Sequence, residues 1–239
     1  MAVTFSRELV LLPLLRWFEE RQSLHIIERG SHPQPRMSVQ ECIPRPDLLK
    51  LLSGVLTPTA ATKQFFLICG EQGTGKTTGV LQACEMVEGG GGQRGGGVVY
   101  VMVQNDNPKN LAVNLGEAFG YRFHQMGLID LLVRKREWEL QPHSLRDDAV
   151  DEALKTLAKL AARYKKKHGV GIVLVLDGVD RLAKEKDAQK QLERLIQFAK
   201  DQADSGCIKV VFVSSEGAGT RFIRGAFAHA RVCSLQRQC

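Results

Sequence analysis

Short, nearly continuous apolar runs alternate along this chain with longer stretches of helical period. Gln64-Phe65-Phe66-Leu67-Ile68-Cys69, Val98-Val99-Tyr100-Val101-Met102-Val103, Gly171 to Leu176 and Ile208 to Val213 are apolar almost throughout. Runs of this kind read as strands buried on both faces. Arg231 to Leu235 reads as a short last strand. Between the runs, apolar residues recur every three or four positions. Val80, Leu81, Cys84 and Val87 do so within Thr78–Glu88, and Leu111, Leu115 and Phe119 within Asn107–Gly120. Leu192, Leu195, Ile196, Ala199 and Ala203 repeat the pattern within Asp187–Ser205. Ser144-Leu145-Arg146-Asp147 looks like a capping box. It is expected to open a long helix with Val150, Ala153, Leu154, Leu157, Leu160 and Ala161 inward, stopped at Gly169. Such alternation predicts a parallel sheet with helices on both faces, a three-layer α/β/α sandwich.

The flanks are less regular. Leu9, Leu12, Trp17 and Ile26 are candidates for one face of a helix interrupted at Pro13, and Gly30 to Met37 reads as a linker. Residues 1–37 are therefore expected to be an N-terminal helical extension and linker, and 38–239 the core domain. Asp47 is a candidate cap for a helix running to Val55, with Leu48, Leu51, Leu52 and Val55 inward. Gly89 to Gly97 reads as a flexible loop. Residues 121–143 hold an apolar patch and then Arg134-Lys135-Arg136, with no clear element.

Gly70-Glu71-Gln72-Gly73-Thr74-Gly75-Lys76-Thr77 follows the first strand and opens the first core helix. It matches the phosphate-binding loop G-x-x-x-x-G-K-[ST] at every fixed position. Glycines let backbone N–H groups turn inward around a phosphate, and the helix N-terminus adds positive partial charge. Gly70 through Thr78 are the expected cradle, Lys76 the contact to the β- and γ-phosphates, and Thr77 a ligand of Mg²⁺. A plain Gly-rich turn is the competing reading.

The strand Gly171–Leu176 ends in Asp177-Gly178-Val179-Asp180. A carboxylate at a strand's C-terminal end sits where open α/β sheets present ligands. Asp177 is the expected holder of the metal shell. Asp180 either handles the attacking water as a general base or caps the next helix. Ser214-Ser215 ends the next strand and is a candidate to touch the γ-phosphate or position water, or is simply a turn.

Charge changes the picture modestly. The formal net charge is +7, which permits nucleic acid as a partner without requiring it. Lys155, Lys159, Arg163, Lys165, Lys166 and Lys167 line the outer face of one helix, as a nucleic-acid footprint or as a solvated helix end. Six cysteines without a C-x-x-C pair point to reduced thiols and an intracellular setting, cytoplasmic or nuclear. No apolar run has the length of a membrane span.

The residues quoted resemble the AAA+ and STAND P-loop ATPases in order and spacing, over roughly residues 42–235. Leu174-Val175-Leu176-Asp177-Gly178-Val179-Asp180 is similar to the Walker B box of STAND proteins, the NACHT group included. Ile43-Pro44-Arg45-Pro46-Asp47-Leu48-Leu49 looks like the box before the first strand that borders the nucleotide base, which makes Pro44 and Arg45 nucleotide-binding candidates. The resemblance implies a five-stranded sheet of order 5-1-4-3-2. It implies Ser214 at a sensor position and, at Arg224 or Arg231, an arginine finger acting on a neighbouring subunit. Two features depart from the pattern. Gly178 stands where many relatives carry Glu, which leaves Asp180 as the candidate catalytic carboxylate. The chain also ends soon after the last strand, where the family's helical lid is expected. The reading is Mg²⁺-dependent hydrolysis of ATP coupled to conformation or assembly, with a protein partner or self-association. The alternatives are a nucleotide-binding switch with negligible turnover and, further off, a kinase acting on a small acceptor.

Overall fold

The computed structural model describes residues 17–33, 45–60, 64–89, 96–103, 108–121, 148–183, 186–215 and 231–235. In chain order these form helix α1 (17–29), α2 (Pro46–Leu56), β1 (Phe66–Gly70), α3 (Lys76–Gly89), β2 (Val98–Met102) and α4 (Pro108–Ala118). They continue with α5 (Ala149–His168), β3 (Ile172–Asp177), a 3₁₀ turn (Val179–Ala183), α6 (Lys186–Ser205), β4 (Ile208–Ser215) and β5 (Arg231–Leu235). The strands make one sheet of order β2-β3-β4-β1-β5, paired in parallel throughout. This is the order 5-1-4-3-2 read from its other edge.

Strand alternation sorts the core into two layers. Leu52, Leu56, Val80 and Cys84 from α2 and α3 pack with Ile68, Val98, Tyr100, Val173, Val175, Val211 and Val213 on one face. Leu111 and Leu115 of α4, Leu157 and Leu160 of α5, and Leu192 and Leu195 of α6 pack with Leu67, Val99, Leu174, Leu176 and Phe212 on the other. Odd-numbered positions of β3 thus face α3, and Asp177 continues that series.

Several local expectations shift. Trp17 and Ile26 do not share a buried face. Nine residues at about 100° each place them half a turn apart. Trp17 is exposed, while Ile27 is fully buried and Ser23 nearly so. Leu9 and Leu12 lie outside the described residues. In α2, Arg45 is the N-cap with no side-chain cap bond, and Pro46 starts the helix with its φ already suited to that position. Asp47 lies in the first turn, and Leu51 is exposed while Leu52, Val55 and Leu56 are buried. Helix α5 starts at Ala149 with Asp148 as N-cap, and Ser144–Asp147 lie outside the described residues. Its expected apolar face is buried, and Gly169 ends it.

The segment 17–33 is fastened to the core. The Ile27 carbonyl accepts from Gly97 N–H at 2.7 Å, and Ser31 forms a parallel bridge with Val99 on the edge strand β2. Cations of α5 hold it from outside: Arg163 pairs with Glu20, and Lys167 and His168 pair with Glu28 at 2.7 and 3.0 Å. Lys165 donates instead to the Ser205 and Gly206 carbonyls. Part of the basic face read from the sequence is therefore occupied by internal contacts, while Lys155, Lys159 and Lys166 are exposed. Among the described residues, no helix is long and apolar enough to cross a membrane.

One buried cation joins the α2 layer to the sheet. Lys209 of β4 is 5% exposed and donates to the Val55 and Thr57 carbonyls at the C-terminal end of α2. Burial pushes its ammonium down to about 8 from 10.5. The folded chain then releases this proton at lower pH than the unfolded chain. Below about 8 both states hold the proton and the cost of burying the charge is fully present; it is relieved as pH rises from about 8 to 10.5. Relative to Lys209→Met, the native protein is expected to gain stability across that window, with a slope of at most about 1.4 kcal/mol per pH unit. Urea melts at several pH values check this, and a difference between the two proteins that stays flat with pH contradicts it.

Candidate functional site

The glycine loop after β1 and the C-terminal ends of β2, β3 and β4 converge on one cleft of ≈ 290 Å³. Its walls include Gln72, Gly73, Gly75, Lys76, Thr77 and Thr78 from the glycine loop, Asp177 and Asp180 from the β3 end, and Ser214 and Ser215 from the β4 end. The loop turns through Gly73 and Gly75, whose φ angles are +82° and +79°. A Cβ added at Gly75 meets nothing within 4 Å, so the loop leaves open space there. Thr74 Oγ1 donates to the Glu71 carbonyl at 2.8 Å and braces the turn from within. Arg45 Nη1 donates to the Thr74 carbonyl at 3.2 Å, bringing the residue before α2 onto the loop backbone. Pro44 lies outside the described residues.

Lys76 starts α3 with its side chain folded over the loop. Its Nζ lies 2.6 Å from both the Gly70 and Glu71 carbonyl oxygens and 3.4 Å from Thr74 Oγ1. An ammonium lying against loop oxygens, on a cleft wall beside a helix N-terminus, is a cation placed for an anion.

Behind it, Thr77 Oγ1 donates to Asp177 Oδ2 at 2.7 Å across a separation of a hundred residues. The same oxygen accepts the Tyr100 hydroxyl at 2.5 Å. Burial, the Asp177 charge and that hydrogen bond push the Tyr100 phenol far above its ordinary value, so it remains a donor. The Asp177 carbonyl accepts from Val103 N–H at 2.8 Å, and Gly178 N–H donates to the Val213 carbonyl at 2.9 Å. These bonds tie the β3 end to both neighbouring strands. Gly178 has φ +84°, and a Cβ there would lie 3.1 Å from the Val103 oxygen. A glutamate at this position would be strained, which is the physical reason for the departure from an Asp-Glu pair.

Asp180 does not cap a following helix. It sits in the 3₁₀ turn, and its Oδ1 accepts from Ser215 N–H at 2.9 Å, with the Ser215 hydroxyl 3.4 Å from each carboxylate oxygen. Ser215, rather than Ser214, is thus the serine joined to Asp180. Ser214 is 1% exposed, and its hydroxyl donates to the Ser215 carbonyl at 3.2 Å. Strand parity explains the difference, because Ser215 follows Val211 and Val213 onto the α3 side. Arg231 begins β5 opposite Phe66, at the end of the sheet away from this chain's own loop. Arg224 lies outside the described residues.

Tyr100 and Arg181, which also lines the cleft, belong to neither the phosphate-loop motif nor the Asp177–Asp180 box. A signal for Tyr100 was present. It is the one polar-tipped side chain within an otherwise apolar strand, and a buried phenol needs a partner.

The donor set fits a small hard cation: a hydroxyl and a carboxylate in contact on an open wall suit Mg²⁺, which takes one or two protein oxygens and keeps other positions for water and phosphate. Among the described residues no group of three or more His, Cys, Asp and Glu side chains is arranged for a metal. Cys69 and Cys84 are buried and Cys207 is half-buried, none of the three in a disulfide.

The family model described as AAA domain matches residues 59–222. No curated protein matches the chain in sequence. Among solved structures, the Orc1 protein of Aeropyrum pernix in complex with DNA is similar at TM-score 0.53 and 20% identity, over 82% of this chain and 46% of that one. The ORC2 protein of the same organism, in ADPNP–ADP complexes, is similar at 0.51 and 15%, over 89% and 51%. Cdc6p of Pyrobaculum aerophilum is similar at 0.50 and 18%, over 84% and 47%. The chain spans about half the length of these structures, and at such identities the likeness is one of fold.

Proposed function

The chain belongs to the AAA domain family, and from that premise we propose that it binds ATP with Mg²⁺ in this cleft and hydrolyses it to ADP and phosphate, coupling nucleotide state to conformation or assembly. The observation that carries this reading is the Thr77–Asp177 contact at 2.7 Å, which joins the glycine loop to the end of β3 behind Lys76. In it the loop N–H groups of Gly73 to Thr78 cradle the phosphates. Lys76 exchanges the Gly70 and Glu71 carbonyls for phosphate oxygens. Thr77 and Asp177 hold the metal, which when bound neutralises charge on the β- and γ-phosphates. Asp180, through the carboxylate oxygen not bound to Ser215 N–H, takes the proton of the attacking water. Ser214 and Ser215 report the γ-phosphate to β4, Arg45 and Pro44 border the base, and Arg224 or Arg231 is the finger offered to a neighbouring copy.

The Leu174–Asp180 string supports a STAND-type member of the family. The net charge and the exposed Lys155, Lys159 and Lys166 keep nucleic acid in view as a partner, as in the Orc1–DNA neighbour. A second reading, a nucleotide switch with negligible turnover, is favoured by Asp180 already being bound to the β4 backbone at 2.9 Å. Single-turnover kinetics with Asp180→Asn separate the two. Hydrolysis predicts retained ATP binding, by calorimetry with and without Mg²⁺, and a rate lowered roughly 10²-fold or more. The switch predicts a rate already negligible in the native chain and unchanged in the variant.

A further inference from the structure

We propose that Tyr100 is a positioning residue for the metal: its hydroxyl fixes the rotamer of Asp177, and the magnesium affinity of the site depends on it. The inference rests on the nucleotide reading above and adds to it a residue that neither the phosphate-loop motif nor the Asp177–Asp180 box contains.

The geometry is specific. Tyr100 sits on β2 opposite Val175 of β3, two positions before Asp177 and on the same face of the sheet. A tyrosine there is long enough to lay its ring under α3 and bring the hydroxyl to the strand end. The ring is 4% exposed and packs in the cluster that holds Val80, Cys84, Val98, Val173 and Val175. Those neighbours leave it little freedom to turn away. Its hydroxyl meets Asp177 Oδ2 at 2.5 Å, and Thr77 Oγ1 meets the same oxygen at 2.7 Å from the other element. Two donors, from β2 and α3, therefore converge on one carboxylate oxygen. That oxygen cannot rotate into the cleft without breaking both bonds. Oδ1, which accepts no hydrogen bond among the described residues, is left as the oxygen available to the metal or its water. Thr77 alone would be a weak lock, because its hydroxyl must also serve the metal. Tyr100 has no such second duty and keeps the carboxylate aimed while Thr77 is engaged.

A phenol that merely satisfied itself in the core would affect folding and leave metal affinity alone. Calorimetric titration of Mg²⁺ into the protein with a saturating non-hydrolysable ATP analogue distinguishes the two, comparing the native chain, Tyr100→Phe and, as the benchmark for a lost carboxylate, Asp177→Asn. Tyr100→Phe is expected to raise the magnesium half-saturation about tenfold, in the range seen when outer partners of metal ligands are removed. Its affinity for the analogue in chelator is expected to stay within about twofold of native, since the phosphate cradle is untouched. A half-saturation within about twofold of native overturns the positioning role. If the native chain takes up no analogue even with Mg²⁺, the nucleotide reading fails and this inference falls with it. If the native chain binds and only the Tyr100→Phe comparison is flat, this inference alone falls. Should Tyr100→Phe not fold, 3-fluorotyrosine at position 100 keeps the ring and makes the hydroxyl a stronger donor. A shift of about twofold or more in half-saturation then supports the role, and no shift overturns it.

Discussion

Lys76→Ala is expected to weaken ATP binding roughly 10- to 150-fold and to lower any turnover by a further 10²–10³-fold, while leaving the fold nearly as stable as before. The first figure follows from losing charge-assisted hydrogen bonds worth about 1.5–3 kcal/mol. The second follows from removing a donor aimed at charge that grows in the transition state. Most of the stability is expected to survive because Glu71 is exposed, so that water can replace the ammonium at its carbonyl, and only the buried Gly70 carbonyl loses a donor. Calorimetry, a phosphate-release assay and a thermal melt on the same preparation give all three numbers. Lys76→Arg is expected to fail similarly, since its planar fork does not fit a site formed by two carbonyls, each 2.6 Å from one Nζ. Undiminished ATP affinity in Lys76→Ala would remove the cleft from consideration as the nucleotide site.

Phe212→Ala is expected to cost about 3–5 kcal/mol of stability, the largest single effect on the fold argued here. Phe212 is fully buried on β4 and meets Phe65 edge-on, with ring centroids 6.2 Å apart at 80°. Strand β4 lies between β3 and β1, and both site-bearing strands take their register from it. Deleting the ring leaves a cavity that two paired neighbours cannot readily close. Phe212→Leu, which keeps most of the volume, is expected to cost about 1–2 kcal/mol. Urea unfolding measures both through the midpoint at constant slope. A loss under about 1 kcal/mol for the alanine variant would mean that β4 is not the central packed strand described.

Much of this was legible because it depends on short-range rules. The helix period in α5 assigned its buried face residue by residue, and the loop pattern carried its own geometry in two glycines and a lysine. Errors arose where the governing quantity was phase or competition. Trp17 and Ile26 share apolar character, although nine residues put them on opposite sides of a helix. Asp47 is a good cap in isolation, but Pro46 before it fixes the helix start at that proline. The outer lysines and arginine of α5 could not be divided into solvated and engaged from spacing. Their partners Glu20 and Glu28 lie about 140 residues away in sequence.

The order of residues alone set the layer architecture, the phosphate loop and the identity of the acid at the β3 end. Periodicity and the conformational limits of glycine and proline act within a few residues, so these features can be read locally. Tertiary structure decided which atoms meet. It placed Tyr100 and Thr77 on one oxygen of Asp177, joined Asp180 to Ser215 rather than to a helix end, and set Arg231 at the far end of the sheet. Each of those outcomes depends on the register between strands distant in sequence. That register is fixed only when both layers of the core close on the sheet together.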